Sequence, residues 1–237
     1  PGKGHGYAGN THGGVHVCPA QLLHRSGDTC KNGIILLIDQ IIKFWVKLNF
    51  TLGEEVFLIG DWCRLHFIEN EGMAFGMSFG EQTGKLILTL FRIVAATLIF
   101  LYLRKLVVKK ENKLVIYAFT LIFAGAVGNI IDSLFYGLIF SESTFFTTAE
   151  FLSEAGGYAP LCLGKVVDMF YFPLIDTTLP QWIPFVGGDH FEFFNAIFNV
   201  ADIAITVGVG LLIISAFKVN NKKKTIALEE IEEDTNK

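Results

Sequence analysis

Between residues 196 and 217 the chain carries one charge, Asp202, at the head of a run of Ile, Val, Leu, Gly and Ala. A helix of that length can cross a hydrocarbon core of ~30 Å. In such a helix an ionised carboxylate costs roughly 2.5 kcal/mol or more unless it faces a polar cavity. Asp202 is therefore a candidate functional residue, and the run a candidate membrane span. Composition points the same way: 51% of the 237 residues are hydrophobic, 23 are Phe and 18% are charged, against about a quarter charged in soluble domains. The net charge of −4 comes largely from the acidic tail at 229–234. No basic stripe with interleaved aromatics marks a nucleic-acid surface, so no nucleic-acid partner is expected.

Two further runs, 86–103 (interrupted only by Arg92) and 114–131, have the same apolar character. A fourth, 33–50, reaches about 27 Å as a helix and carries Asp39 and Lys43 at i,i+4, where they can pair. It reads equally as a short amphipathic helix or as a membrane helix with an interior ion pair. Residues 1–32 are Gly- and His-rich, lack the form of a signal peptide, and read as a disordered or non-native extension. Within 51–83, Val56-Phe57-Leu58-Ile59 and Leu65-His66-Phe67-Ile68 read as short strands, followed by a turn from Glu69 to Gly76. They suggest a small sheet on the membrane surface. Arg104, Lys105, Lys109, Lys110 and Lys113 lie between the second and third runs, and Lys218 and Lys222 to Lys224 follow the last. By the positive-inside rule this predicts four spans (33–50, 86–103, 114–131, 196–217) with both termini inside. The two longer loops then lie outside, and 218–237 forms a charged cytoplasmic tail.

Polar residues repeat inside these runs. Asn129-x-x-Asp132 and Asn199-x-x-Asp202 each place an amide and a carboxylate on one helix face, near the outer ends of their spans. A third carboxylate, Asp168, sits in the strand-like run Gly164-Lys165-Val166-Val167-Asp168-Met169. Two carboxylates sharing a site do not both ionise readily, and such a pair can activate water and protonate a leaving amine. The bland alternative is that the aspartates cap helices or bond to asparagines. Spacing alone ranks Asp132 and Asp168 about equally as the partner of Asp202. A small transporter or channel using Asp39, Asp132 and Asp202 as a proton relay is the competing class. It expects an inverted repeat and carboxylates spread through the bilayer's depth, and neither is visible. Cys18, Cys30, Cys63 and Cys162 form no CxxC pair, and Cys18, His24 and Cys30 match no zinc-finger spacing, so no metal or cofactor is expected. A Cys63–Cys162 disulfide stays open.

Five blocks occur in the order of a known family. They are Asp39-Gln40-Ile41-Ile42-Lys43, Asn70-Glu71-Gly72-Met73-Ala74-Phe75, Gly125-Ala126-Val127-Gly128-Asn129-Ile130-Ile131-Asp132, Val166-Val167-Asp168-Met169 and Phe198-Asn199-Val200-Ala201-Asp202. With four spans between them, over about 33–217, the chain resembles lipoprotein signal peptidase, the intramembrane aspartic peptidase of bacteria. The resemblance implies a bundle of four transmembrane helices with a small extracytoplasmic β-cradle in the inner membrane, its site near the outer face. It implies that the substrates are diacylglyceryl-modified prolipoproteins, cut just before the lipidated cysteine, with membrane lipids as the other partners and a monomeric enzyme. By motif Asp168 and Asp202 form the catalytic pair, and Asp132 supports it. Asn70, Gly72, Asn129 and Asn199 line the site, and Asp39 and Lys43 have structural or positioning roles. Three departures stand out. Ser133 occupies the position where the family usually has Arg, a loss that Arg92 could make good. Residues 138–163 are an insertion, either a lid or partner surface, or a tolerated surface loop. Residues 1–32 replace the apolar lead-in expected before Asp39.

Overall fold

The computed structural model describes residues 26–60, 62–72, 81–173, 175–193 and 195–235. Four long helices carry the fold: α1 (Ser26–Asn49), α2 (Glu81–Val108), α3 (Lys113–Ile131) and, after a short α4 (Gly137–Ile139), α5 (Val200–Thr235). Among the described residues, three stretches are long and apolar enough to cross a membrane, Gln82–Val108, Lys113–Ile139 and Val200–Asn221. In the first and last of these, many apolar side chains face outward. Leu90, Phe91, Val94 and Leu98 of α2, and Val207, Ile213 and Phe217 of α5, are all exposed, the reverse of a soluble bundle. Asp39, Lys43 and Lys47 keep α1 out of that class by composition.

The helix termini differ from the sequence expectations in instructive ways. Helix α1 starts at Ser26, so residues 26–32 are helical and not part of an unstructured extension; residues 1–25 lie outside the described residues. Helix α5 starts at Val200, four residues later than the apolar run, because Ile197–Phe198 is a strand. Helix α5 then continues to Thr235, so the charged tail is a prolongation of the last helix. Helix α3 runs on through a π-helical turn, Asp132–Tyr136, that buries Asp132, Ser133 and Tyr136. Such wide turns recur at functional sites.

Small residues bring the helices together, as close approach in a membrane requires. A Cβ on Gly125 would lie 2.3 Å from the Ala201 carbonyl oxygen of α5, and one on Gly208 would lie 2.7 Å from the Ala118 oxygen of α3. Gly128 faces α1, where a Cβ would sit 2.8 Å from Asp39 Oδ2. Because the obstacle at Gly125 is backbone, Gly125→Ala should push α5 off α3. A loss of about 1–3 kcal/mol is expected for such overpacking, read as a lowered unfolding midpoint in detergent.

The expected strands at 56–59 and 65–68 are present as β1 (Glu55–Ile59) and β2 (Cys63–Asn70), but they form only half of the sheet. Strand β3 (Val166–Tyr171) pairs with β2, and β6 (Ile197–Phe198) with β3, giving an antiparallel order β1-β2-β3-β6. The cradle is thus drawn from three chain segments, and Glu81 to Thr83 belong to α2. A second two-stranded sheet, β4 (Ile175–Thr178) with β5 (His190–Phe193), was not foreseen. Of the turn expected from Glu69 to Gly76, Glu69 and Asn70 instead end strand β2, Gly72 has φ +74°, and the remainder, from Met73, lies outside the described residues. The main core joins α1 to the sheet through Val46, Phe50, Phe67, Val167 and Met169. The 138–163 insertion packs into that core with Phe140 and Ala149, and Leu52 N–H donates to the Thr144 oxygen at 2.9 Å. Cys63 and Cys162 are free thiols.

Candidate functional site

The site is built where α5 begins. Asn199 Oδ1 accepts from the Asp202 N–H at 3.0 Å, and Asp202 Oδ2 accepts from the Asn199 N–H at 3.3 Å. This reciprocal pair is a capping box that satisfies two amides at the helix start. Asp202 thus does cap its helix, but only with Oδ2. Its Oδ1 accepts from Asn129 Nδ2 of α3 at 2.8 Å. Asp202 is half-buried, whereas Asp39, Asp132 and Asp168 are all but fully buried.

Strand β3 brings Asp168 to the same asparagine. Asn199 Nδ2 donates to Asp168 Oδ1 at 2.6 Å, and Asn70 Nδ2, from the end of β2, donates to Asp168 Oδ2 at 2.9 Å. Asn70 is itself held by the Gly72 N–H, which donates to its Oδ1 at 2.7 Å. A Cβ on Gly72 would fall 2.3 Å from Leu88 and 3.1 Å from Arg92 Nη2, so this left-handed turn both needs and has room only for glycine. Burial pushes the Asp168 carboxyl up to about 6; the Asn70 and Asn199 hydrogen bonds oppose that, and the charge of Asp202 adds to it.

Asp39 and Asp132 are committed elsewhere. Lys43 Nζ reaches Asp39 Oδ2 at 2.9 Å and Asp132 Oδ2 at 2.7 Å, and donates to Asn129 Oδ1 at 2.9 Å. Gln40 Nε2 donates to Asp132 Oδ1 at 3.0 Å, and the Ala201 N–H donates to Asp39 Oδ1 at 2.8 Å. A buried ammonium shared by two carboxylates, with hydrogen bonds to the remaining lone pairs, is how charges survive in a low dielectric. By contrast Asp168 and Asp202 receive only amide donors among the described residues.

All nine residues singled out in the sequence fall into this cluster. Asn129 accepts from Lys43 and donates to Asp202, and so joins the ion-pair half to the amide-bound half. Ser133 is not idle: Arg92 Nη1 donates to its Oγ at 2.9 Å, and that Oγ donates to the Asn129 carbonyl at 2.9 Å. Sequence reasoning left out Gln40, which also accepts from Tyr136 OH at 3.2 Å. It also left out Lys47, buried in an ion pair with Glu69 and donating to Ser143 Oγ at 3.0 Å. The signal for Lys47 was present, since Asp39, Lys43 and Lys47 recur every four residues on one face.

Known proteins share this arrangement of elements. A family model described as signal peptidase (SPase) II matches residues 32–218. The chain is 47% identical over 182 residues to the lipoprotein signal peptidase of Porphyromonas gingivalis, covering 76% of this chain and 78% of that one. It is 36% identical over 188 residues to the lipoprotein signal peptidase of Amoebophilus asiaticus, covering 77% and 75%. A solved structure described as a bacterial membrane enzyme, determined in meso at 2.3 Å, aligns with a TM-score of 0.53 at 23% identity, over 83% of this chain and 90% of that one. That likeness shows the fold. The matches and the apolar helices together define a membrane enzyme with a peptidase's ancestry. The chain belongs to the signal peptidase II family, whose work is the removal of signal peptides. The proton-relay alternative gives way to that membership.

Proposed function

We propose that this chain cleaves diacylglyceryl-modified prolipoproteins just before the lipidated cysteine, with Asp168 and Asp202 as an aspartic dyad. One observation carries the reading: of four clustered carboxylates, Asp39 and Asp132 share Lys43, while Asp168 and Asp202 are held, among the described residues, by amides alone. Neutralised carboxylates brace a bundle; amide-held ones can exchange a proton. Asp168, the more deeply buried, keeps the shared proton, and Asp202 is the base. Asp202 takes a proton from water as it attacks the scissile carbonyl, and Asp168 protonates the departing amine. Asn129 and Asn199 fix the carboxylates, and Arg92, through Ser133, supplies the nearby positive charge.

Residues 33–217 form the peptidase domain, monomeric and with four spans. Helix α1 supports the fourth: Asp39, Lys43 and Lys47 are buried while Leu37, Ile41, Trp45 and Leu48 are exposed, so its apolar face is the one left for lipid. Arg104 and Lys105 at the end of α2, Lys109, Lys110 and Lys113 just beyond it, and the lysines within α5 favour termini inside a bacterial inner membrane and a site near the outer face. The precursor enters sideways, its acyl chains in the lipid. Purified protein incubated with lipidated and unlipidated forms of one precursor tests this reading. Mass spectrometry should find only the lipidated form cut, directly before its cysteine; equal cleavage of both forms would sink the substrate assignment.

The protonation scheme makes a further prediction. Asp202→Asn removes a charge that raises Asp168, so the Asp168 titration should move down from about 6, towards the ordinary carboxyl value. Asn70→Ala removes a hydrogen bond to the ionised form and should move it up. Infrared difference spectra of the carboxyl stretch would follow both. Because folding raises this pKa, the native state holds the extra proton between the ordinary value and about 6. Asp168 therefore lowers stability as pH rises through that window.

A further inference from the structure

The 172–196 excursion leaves the dyad strand β3 and returns through β6 to the first residue of α5. Its base is therefore at the outer end of a membrane-capable helix. Phe172 stacks on Phe198 with ring centroids 5.6 Å apart, and Trp62 lies 6.1 Å from Phe172. Beyond that base, β4 and β5 pair from Ile175↔Phe193 to Thr178↔His190. The loop they carry, 179–188, reads Leu-Pro-Gln-Trp-Ile-Pro-Phe-Val-Gly-Gly, without a charge.

This loop is a formed turn. Leu179 N–H donates to the Asp189 oxygen at 2.9 Å, Gly188 N–H to the Leu179 oxygen at 2.9 Å, and Gly187 N–H to the Ile183 oxygen at 3.0 Å. The turn displays its apolar side chains: Trp182 is 80% exposed and Phe185 fully so, with Val186 half-exposed. Phe185 has φ +71°, a left-handed conformation that bulky residues seldom adopt. Strain of that kind persists where the fold holds a residue in place for a purpose.

We propose that this hairpin tip is a membrane anchor, with Trp182, Phe185 and Val186 seated at the headgroup–acyl boundary of the outer leaflet. Three observations select lipid as the occupant. The base runs on through β6 into α5, whose Ile203 and Val207 are exposed, the tip lacks charge, and a Trp–Phe–Val set suits the interface, where aromatic rings are enriched. An isolated two-stranded hairpin is at best marginal in water, and the bilayer supplies its missing apolar face. Seated there, the tip holds β3 and β6 at a constant depth and so fixes Asp168 relative to the bilayer.

The test uses the full chain in vesicles of phosphatidylcholine and phosphatidylglycerol, with Trp45→Phe and Trp62→Phe leaving Trp182 as the sole tryptophan. Its emission should lie to the blue of that of tryptophan in water. Lipids brominated near the top of the acyl chain should remove most of it, and aqueous iodide should remove little. If the double variant fails to fold, difference spectra between the native chain and Trp182→Phe give the same readout. Quenching by iodide and not by brominated lipid overturns the proposal, as does protection from both, which would place the tip against protein. Protection that develops only when lipidated precursor is added assigns the tip to substrate and also overturns it. None of these readouts depends on cleavage, so the anchor and the proposed activity stand or fall separately.

Discussion

Asp168→Asn and Asp202→Asn should each lower kcat for lipidated precursor by about three orders of magnitude, within the 10²–10⁴-fold range of a lost general acid or base. The exchange is nearly isosteric, so binding of the lipid-modified segment should survive and KM should change little. The informative comparison is Asp132→Asn. Asp132 lies in the same cluster, and from spacing alone it competes with Asp168 as the dyad's second member. Its oxygens, however, are occupied by Lys43 and Gln40. Asp132→Asn should therefore reduce thermal stability while retaining most of kcat. Single-turnover cleavage in detergent would separate the three variants, and an Asp132→Asn enzyme as dead as Asp168→Asn would move the dyad to Asp132.

The second large effect is expected at Lys43. Its ammonium, fully buried, is held by Asp39, Asp132 and Asn129. Lys43→Met leaves two carboxylates facing one another without a cation, and removing one partner of a buried ion pair costs about 3–5 kcal/mol. Unfolding midpoints in detergent would report the loss. Lys43→Arg should not restore it, because a planar fork cannot take the place of a compact ammonium among three acceptors. The triple variant Lys43→Met, Asp39→Asn, Asp132→Asn should regain part of the stability, since the penalty lies in the uncompensated charges. A triple variant no more stable than Lys43→Met alone would place the lysine's contribution in packing of its stem.

What could be read in advance, and what could not, follows from the physics of each signal. Helices α2, α3 and α5 announce themselves by long apolar runs with at most one charge each, and Asp39–Lys43 and Asn199–Asp202 by spacing on one turn. Strand β6 was hidden because Ile197 and Phe198 are as apolar as the helix they precede; only the Asn199-x-x-Asp202 capping pattern marks the true start at Val200. The pairing of Asp168 with Asn199 depends on β2, β3 and β6 lying side by side, a contact between distant segments that no local pattern encodes. The π-helical turn at Asp132–Tyr136 left no trace in composition. Lys47 and Glu69 were legible singly, but their pairing waits on α1 meeting the sheet. Family motif, not spacing, picked Asp168 over Asp132, and the division of partners around Lys43 is the observation on which the proposed dyad rests.

The hydrogen bond from the Ala201 N–H to Asp39 Oδ1 joins the first described helix to the last described one. Asp39 leaves the ribosome long before Ala201, and until α5 arrives its carboxylate has Lys43 and Gln40 but no helix start to hold. The hydrogen-bonded cluster around Asp202 therefore does not exist in a nascent chain that lacks α5. A chain truncated before residue 201 lacks both the Asp202 carboxylate of the proposed dyad and the Ala201 amide that binds Asp39.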